Sequence, residues 1–250
     1  MNAFIYAAGR AARLGDLVKD RHKMLLEFGG RSLLEWHVLR LKEAGASTIH
    51  VITGHQRAQM SAAIHAVATQ HKAQVVEIYN PDYSEGSVLS MAVSLRKLES
   101  CSPFALLLDG DVLYDTRMLR RLIDSPHRTA LLIDRGYSAA DDDPVLVPVV
   151  GGRPVDFVKR WRGEADQVGE SIGFFKVDEA DIPALVRETR SREKGAGRMD
   201  SYDDVLRALV HRGIFGHEDV TGIPWTEIDF PQDVDYAKEK ILPQLLKPND

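Results

Sequence analysis

The chain of 250 residues contains a single cysteine, Cys101, so no internal disulfide can form. It has no Cys-x-x-Cys pair and no His-Glu-x-x-His segment, which removes the usual zinc-site spacings. Long hydrophobic runs are missing too. The apolar stretches are only a few residues each, far short of the ~20 that a membrane-spanning helix needs. The opening MNAFIYAAGRAARLG puts its apolar stretch before its first arginine, the reverse of a secretory signal. Basic charge is not in excess: 32 Lys and Arg against 37 Asp and Glu give a formal net charge of −5, and no basic stripe points to nucleic acid. These absences lead us to expect a soluble, cytoplasmic globular protein with neither a nucleic acid nor a membrane as partner. It is long enough to bury a substantial core.

The first half alternates strand-like and helix-like segments. Ala3–Ala7 reads as a strand and is followed by a small, basic loop. Ser32-Leu-Leu-Glu35 is a capping box, and Leu33, Leu34, Val38 and Leu41 then recur at helical spacing until Gly45. Thr48–Thr53 and Gln74–Tyr79 are further strands, with helices over roughly Gln56–Thr69 and Val88–Leu98. Phe104–Leu108 is continuously apolar, as a strand covered on both faces would be. Such alternation implies right-handed crossovers and a parallel sheet.

After about residue 128 the pattern becomes β-rich. Ala130–Ile133, Val145–Val150, Val155–Lys159 and Ser171–Val177 read as strands, with a hairpin turn at Gly151-Gly152. Helices return at about Glu179–Arg192 and Asp203–Arg212, and a last one starts near Pro231. Asp141-Asp142-Asp143 reads as a solvated loop. The expected architecture is one α/β domain over residues 1–250. Its sheet is Rossmann-like, mixed and mainly parallel, flanked by helices, with a small β-rich portion in the second half.

The loop Ala7-Ala8-Gly9-Arg10-Ala11-Ala12-Arg13-Leu14-Gly15 leaves the end of the first strand, where open parallel sheets bind ligands. Small residues let backbone N–H groups approach phosphate, and Arg10 and Arg13 add charged donors. A basic surface loop is the competing reading. A dinucleotide fingerprint fails because Ala11 and Leu14 stand where glycines belong, and no Gly-Lys-Ser/Thr follows for a Walker A loop.

Lys23 weighs toward phosphate. Together the loop and the following Arg21-His-Lys-Met-Leu-Leu-Glu-Phe-Gly-Gly30 resemble the N-terminal signature of the GT-A-like nucleotidyltransferases. The match falls on Ala7, Ala8, Gly9, Arg13, Leu14, Gly15 and Lys23, with Ala11 where that family usually has glycine and His22 where it usually has proline. The family's fold is the GT-A type.

Leu106-Leu-Leu-Asp-Gly-Asp-Val112 places two carboxylates two residues apart at the end of an apolar strand. Residues i and i+2 share a strand face, so Asp109 and Asp111 can enter one cleft and hold a cation such as Mg²⁺. A simple turn closing a strand is the bland alternative, and glycosyltransferases of the same fold use a similar Asp-x-Asp. Trp225-Thr-Glu-Ile-Asp229 resembles the late Glu-Ile-Asp element of the nucleotidyltransferases, whose aspartate, here Asp229, completes the metal site.

The resemblance implies attack by a phosphate or phosphonate oxygen on the α-phosphorus of a nucleotide, releasing pyrophosphate. In that scheme Asp111 and Asp229 hold Mg²⁺, Lys23 bridges the reacting phosphates and Arg13 binds the β/γ end. The first loop (Ala7, Ala8, Gly9, Arg10 and Ala11), Ser87 and Asp109 bind the nucleotide. Lys159 is either a second phosphate-binding lysine or a surface one.

Asn80–Ser90, Gly169–Lys176 and Tyr202–Leu206 are similar to the small cytidylyltransferases that activate phosphocholine or 2-aminoethylphosphonate. This implies CTP and a small phosphorylated or phosphonate acceptor as partners, with residues 1–128 binding nucleotide, 129–250 binding acceptor, and the chain a monomer or homodimer. From the length we expect no added sugar-specific domain. An amine-bearing acceptor would face Glu170, Asp203, Tyr83, Trp161, Tyr202 or Trp225. With only 7% aromatic residues, a primary amine is favoured over a quaternary ammonium. The alternatives are a sugar-1-phosphate nucleotidyltransferase using UTP, dTTP or GTP, a glycosyltransferase, and a non-catalytic nucleotide-binding regulator.

Overall fold

The computed structural model describes residues 1–137 and 144–247; Asp141, Asp142 and Asp143 lie outside them. Strand β1 (Asn2–Ala7) is buried on both faces. Its alternate side chains divide between two cores, with Ala3, Ile5 and Ala7 on one side of the sheet and Phe4 on the other. A short hairpin, β2 (Glu27–Phe28) and β3 (Arg31–Ser32), turns at Gly29 and Gly30, both at positive φ. It leads into α1 (Leu33–Glu43), whose Ser32 cap accepts from the Glu35 amide at 3.1 Å. The reciprocal half of the expected capping box is missing. Glu35 instead turns its carboxylate to His71 (2.8 Å) and Gln70 (3.3 Å) on the next helix.

β4 (Thr48–Thr53), α2 (Arg57–His71), β5 (Val75–Tyr79), α3 (Val88–Leu98) and β6 (Phe104–Asp109) complete a parallel block in the order β6-β1-β4-β5. The register sets Tyr6 opposite both Ile52 and Asp109, so the carboxyl ends of β4, β1 and β6 are level. The loop after Ala7 and the acid-Gly-acid turn after Leu108 therefore open on the same edge.

The second half adds β7 (Val112–Tyr114), α4 (Thr116–Ile123), β8 (Ala130–Asp134), β9 (Leu146–Val150), β10 (Arg153–Pro154), β11 (Gln167–Asp178), α5 (Ile182–Arg192), α6 (Tyr202–His211), β12 (Gly216–Asp219), β13 (Trp225–Glu227), α7 (Pro231–Tyr236) and α8 (Leu242–Leu245). The long β11 runs antiparallel to β6, β8 and β9, extending the block into a nine-stranded mixed sheet. β13 pairs antiparallel with β7, bringing Glu227 opposite Val112. Gly151 and Gly152 make the hairpin between β9 and β10, both at positive φ.

Two expected elements differ. Val155–Lys159 is not a strand, and only Val158 bridges Leu146. The Asp156 carboxylate accepts from the Phe157 amide (2.8 Å) and from Arg207 (2.7 Å), which draws the segment off the ladder. The helix expected from Glu179 begins at Ile182, because Asp178 captures the Ala180 amide (3.0 Å) in a turn and Pro183 suits the first helical turn. Among the described residues, no helix is long and apolar enough to cross a membrane.

Candidate active site

A cleft of about 1220 Å³ opens at the carboxyl edge of the parallel block. Its floor begins with the loop after β1. Ala11 there adopts φ 51°, ψ 40°, the left-handed region that glycine enters freely and alanine only at a cost. Gly15 takes φ 55°, ψ −127°, which lies outside the left-handed basin open to other residues. These two positions fold the loop back so that Leu14 is buried and Arg13 faces the cleft. His22 caps the next turn, accepting the Met24 amide on Nδ1 at 3.2 Å. Burial, then the charges of His55 and Lys23, pushes His22 down to about 4, so the ring is neutral.

Lys23 projects from this turn between two acids 88 and 206 residues away. Its Nζ donates to Asp111 Oδ2 and to Asp229 Oδ1, each at 2.8 Å. Arg13 pairs with the other oxygen of Asp229, with its guanidinium 5.0 Å from the Phe230 ring centre. Burial alone would lower Lys23, but the two carboxylates hold it above its ordinary value. Burial alone would likewise raise Asp111, and the Lys23 ammonium keeps it below the usual carboxylate range. Asp229 is further fixed from behind, because Asp233 accepts the amides of Asp229 (2.9 Å) and Phe230 (2.7 Å) at the start of α7.

Asp109 has a different environment. Its carboxylate accepts from the Tyr202 hydroxyl, and the Tyr202 ring stacks on Tyr6 at 5.5 Å. Burial, then repulsion from Asp111, raises Asp109 well above the usual range. Gly173 on β11 makes room for it: a Cβ there would stand 2.0 Å from Asp109 Oδ2. Two acids that share the cleft are thus shifted in opposite directions.

The family is decided by sequence. Residues 3–173 match the MobA-like NTP transferase domain, well over half of the chain. The chain belongs to that family. Across its whole length it is 30% identical to the bifunctional IPC transferase and DIPP synthase of Rubrobacter xylanophilus, covering 54% of that protein. It is 28% identical to the CMP-5'-(3-aminopropyl)phosphonate synthase of Streptomyces rubellomurinus, over 97% of this chain and 39% of that one. The chain therefore spans about half or less of the length of these relatives. The inositol-1-phosphate CTP transferase of T. maritima shares the fold, with a TM-score of 0.80 at 19% identity over 100% of this chain and 97% of that one. The mixed, mainly parallel sheet flanked by helices is the nucleotidyltransferase fold.

In this NTP transferase domain, oxygens of Asp111, Glu227 and Asp229 lie within 4.8 Å of one another. Asp111 Oδ1 is buried with no hydrogen-bond partner. Three converging carboxylates and an orphaned oxygen are a hard donor set that fits a divalent cation such as Mg²⁺. Glu227, exposed at the mouth of the cleft, is raised well above its ordinary value by the protein crowding its carboxylate and then by the charges of Asp111 and Asp229. A cation would relieve that repulsion.

Glu227 is the residue that sequence reasoning missed. The same i, i+2 argument that joined Asp109 to Asp111 joins Glu227 to Asp229, and the pairing of β13 with β7 sets it beside the acidic turn. Ala8, Gly9, Ala11, Arg13, Lys23, Ser87, Asp109, Asp111, Lys159, Glu170, Tyr202, Asp203 and Asp229 all line the cleft. Tyr83 and Trp225 line it as well, and the Trp225 indole donates to Asp134 at 2.7 Å.

Three expected residues do not. Ala7 ends β1 with its methyl in the core below the cleft floor. Arg10 turns aside to stack on Tyr83, with its guanidinium 5.7 Å from the ring centre. Trp161 lies off the cleft, packed against Gly163, with its buried indole nitrogen unpartnered.

Proposed function

We propose that this domain transfers CMP from CTP to a small phosphonate or phosphoalcohol, releasing pyrophosphate. The observation that carries the reading is Lys23, buried between Asp111 and Asp229 in the cleft of an NTP transferase domain. An acceptor oxygen attacks the α-phosphorus and pyrophosphate departs. The nucleophile is already ionised at neutral pH, so the protein needs no general base. Its task is positioning and charge stabilisation.

Lys23 reaches phosphate oxygens of both reactants, and Arg13 takes the β/γ end of the triphosphate. Gly9 and Ala11 present backbone near the phosphates, while Ser87 and Asp109 face the nucleoside. Asp111 and Asp229, with Glu227 beside them, would hold Mg²⁺, which when bound supplies charge neutralisation for the triphosphate. Apart from Glu227 and Asp229, residues 1–128 serve the nucleotide and 129–250 the acceptor.

The acceptor side carries Asp134, Glu170 and Asp203 with Lys159. Carboxylates facing a single lysine suit a molecule with an anionic head and a cationic amine. The printed name of the Streptomyces rubellomurinus relative, an aminopropylphosphonate synthase, supports the same chemistry. A second reading is a sugar 1-phosphate acceptor with UTP, dTTP or GTP. The cleft volume of about 1220 Å³ favours it, since a nucleotide and a hexose fit there together.

Pyrophosphate release decides between them when each nucleoside triphosphate is tried with 2-aminoethylphosphonate, phosphocholine, inositol 1-phosphate and glucose 1-phosphate. Turnover with CTP and an aminophosphonate or phosphocholine is the expected outcome. Turnover confined to UTP, dTTP or GTP with glucose 1-phosphate would establish the second reading. Binding of CTP with no pyrophosphate from any acceptor would make the chain a regulator.

A further inference from the structure

His37 stands at the middle of α1, fully buried, directly behind the acid-Gly-acid turn. Its Nε2 lies 3.0 Å from the carbonyl oxygen of Gly110, the residue between Asp109 and Asp111. A carbonyl only accepts, so Nε2 carries the proton and Nδ1 is left as a bare acceptor. That Nδ1 is buried with no partner. The ring is held against rotation by Tyr114, 5.2 Å away centre to centre, and by Phe174 at 6.5 Å.

The other backbone groups of the turn are also fixed. The Gly110 amide donates to Tyr6 O at 3.0 Å, and Asp111 O accepts from the Ile228 amide at 2.9 Å, inside the Glu-Ile-Asp element. Space for backbone movement is small, since a Cβ on Gly110 would meet Tyr6 O at 2.9 Å and Met24 Sδ at 3.0 Å.

We infer that His37 is a positioning residue: through its hydrogen bond to the Gly110 carbonyl it sets the direction in which the Asp111 carboxylate faces Glu227, Asp229 and the incoming cation. The inference rests on the proposed metal-assisted transfer and deepens it. Residues that orient the groups holding a metal typically change its affinity or the activity by ~10–100-fold when replaced. His37 touches none of the reacting atoms, so its effect must pass through the turn.

A ring kept only for packing would be replaceable by another apolar group, and the unpartnered Nδ1 gives a histidine no packing advantage there. The Nε2 donor is therefore the feature to remove and restore. Leucine removes it. Glutamine puts an amide N–H near the position of Nε2 and restores it.

The test measures Mn²⁺ affinity with CTP present, by electron paramagnetic resonance of free Mn²⁺ read against a matched Mn²⁺–CTP solution without protein, together with kcat, KM and thermal midpoint. We expect His37→Leu to remain folded, with its midpoint lowered as the buried Gly110 carbonyl loses its donor, while weakening Mn²⁺ by ~10-fold or more and lowering kcat more than KM. We expect His37→Gln to recover most of the Mn²⁺ affinity. Equal Mn²⁺ affinity in His37→Leu and the wild type overturns the inference and leaves the proposed function standing. So does a loss in His37→Leu that glutamine does not restore in a folded protein. If the wild type itself binds no Mn²⁺ with CTP, the proposed function falls and the inference falls with it.

Discussion

The loop that floors the cleft contains two residues at positive φ, and the two differ in kind. Ala11 sits inside the left-handed basin, where an L-residue is disfavoured by ~1–2 kcal/mol. Glycine at position 11 would remove that cost but would add ~0.4–1 kcal/mol of unfolded-state entropy to lose on folding. Ala11→Gly is therefore expected to be neutral to stabilising, by at most about 1.6 kcal/mol.

Gly15, at ψ −127°, occupies a region closed to side chains, although nothing lies within 4 Å of where its Cβ would be. The cost of Gly15→Ala is thus purely one of backbone, and it should exceed ~1 kcal/mol. Urea denaturation of both variants checks the pair. A Gly15→Ala protein as stable as the wild type would show that the loop does not need this turn. The family resemblance flagged position 11 as the departure, yet the backbone shows position 15 to be the more demanding glycine.

At the level of elements, the alternation of β1, β4, β5 and β6 with their helices was readable because β1, β4 and β6 bury both faces and α1 and α3 carry a regular apolar spacing, while β5, at the sheet edge, is half-buried along its length. Segment 155–159 was not, because its fate depends on Asp156 meeting Arg207 and His211 on α6, 51 and 55 residues away.

β4 also carries a titration test. His50 is buried on this strand, stacked on Phe4 at 4.7 Å, and burial followed by the charge of Lys97 pushes it down to about 4. The unfolded chain takes up this proton near pH 6.5. Since the folded value is the lower one, the contribution of neutral His50 is fully present above about 6.5 and is lost as pH falls toward 4. Asp109 and Glu227, both raised, act in the opposite sense, so the total profile mixes the two. Comparing the wild type with His50→Gln isolates the histidine. The stability difference should shift against the wild type as pH drops from about 6.5 to about 4, and a difference independent of pH would contradict the burial argument.

Across the whole molecule, the cleft is assembled from distant stretches of chain. Arg198 pairs with Glu85 at 2.7 Å and Asp82 at 3.1 Å, and the Gly86 amide donates to Arg198 O at 2.9 Å. A Cβ on Gly86 would stand 2.2 Å from Asp200 O, so this glycine permits the contact. The Ser87 hydroxyl lies 3.1 Å from Ser201 Oγ and accepts the Tyr202 amide at 3.0 Å, which ties the start of α6 to the start of α3 across the cleft. No local spacing announces such closures. They explain why Lys23, Asp111 and Asp229 were each readable from a motif, while the use of the Tyr202 hydroxyl on Asp109 was not.

Lys23, held between Asp111 and Asp229, is the group on which the proposed nucleotidyl transfer rests. The most direct test is pyrophosphate release from CTP with the acceptor the wild type turns over best, comparing the wild type with Lys23→Ala at matched folding. Losing one preorganised cation should cost ~10²–10³ in kcat with the variant still folded. A folded Lys23→Ala enzyme that releases pyrophosphate at the wild-type rate would show that the buried lysine has no part in the transfer.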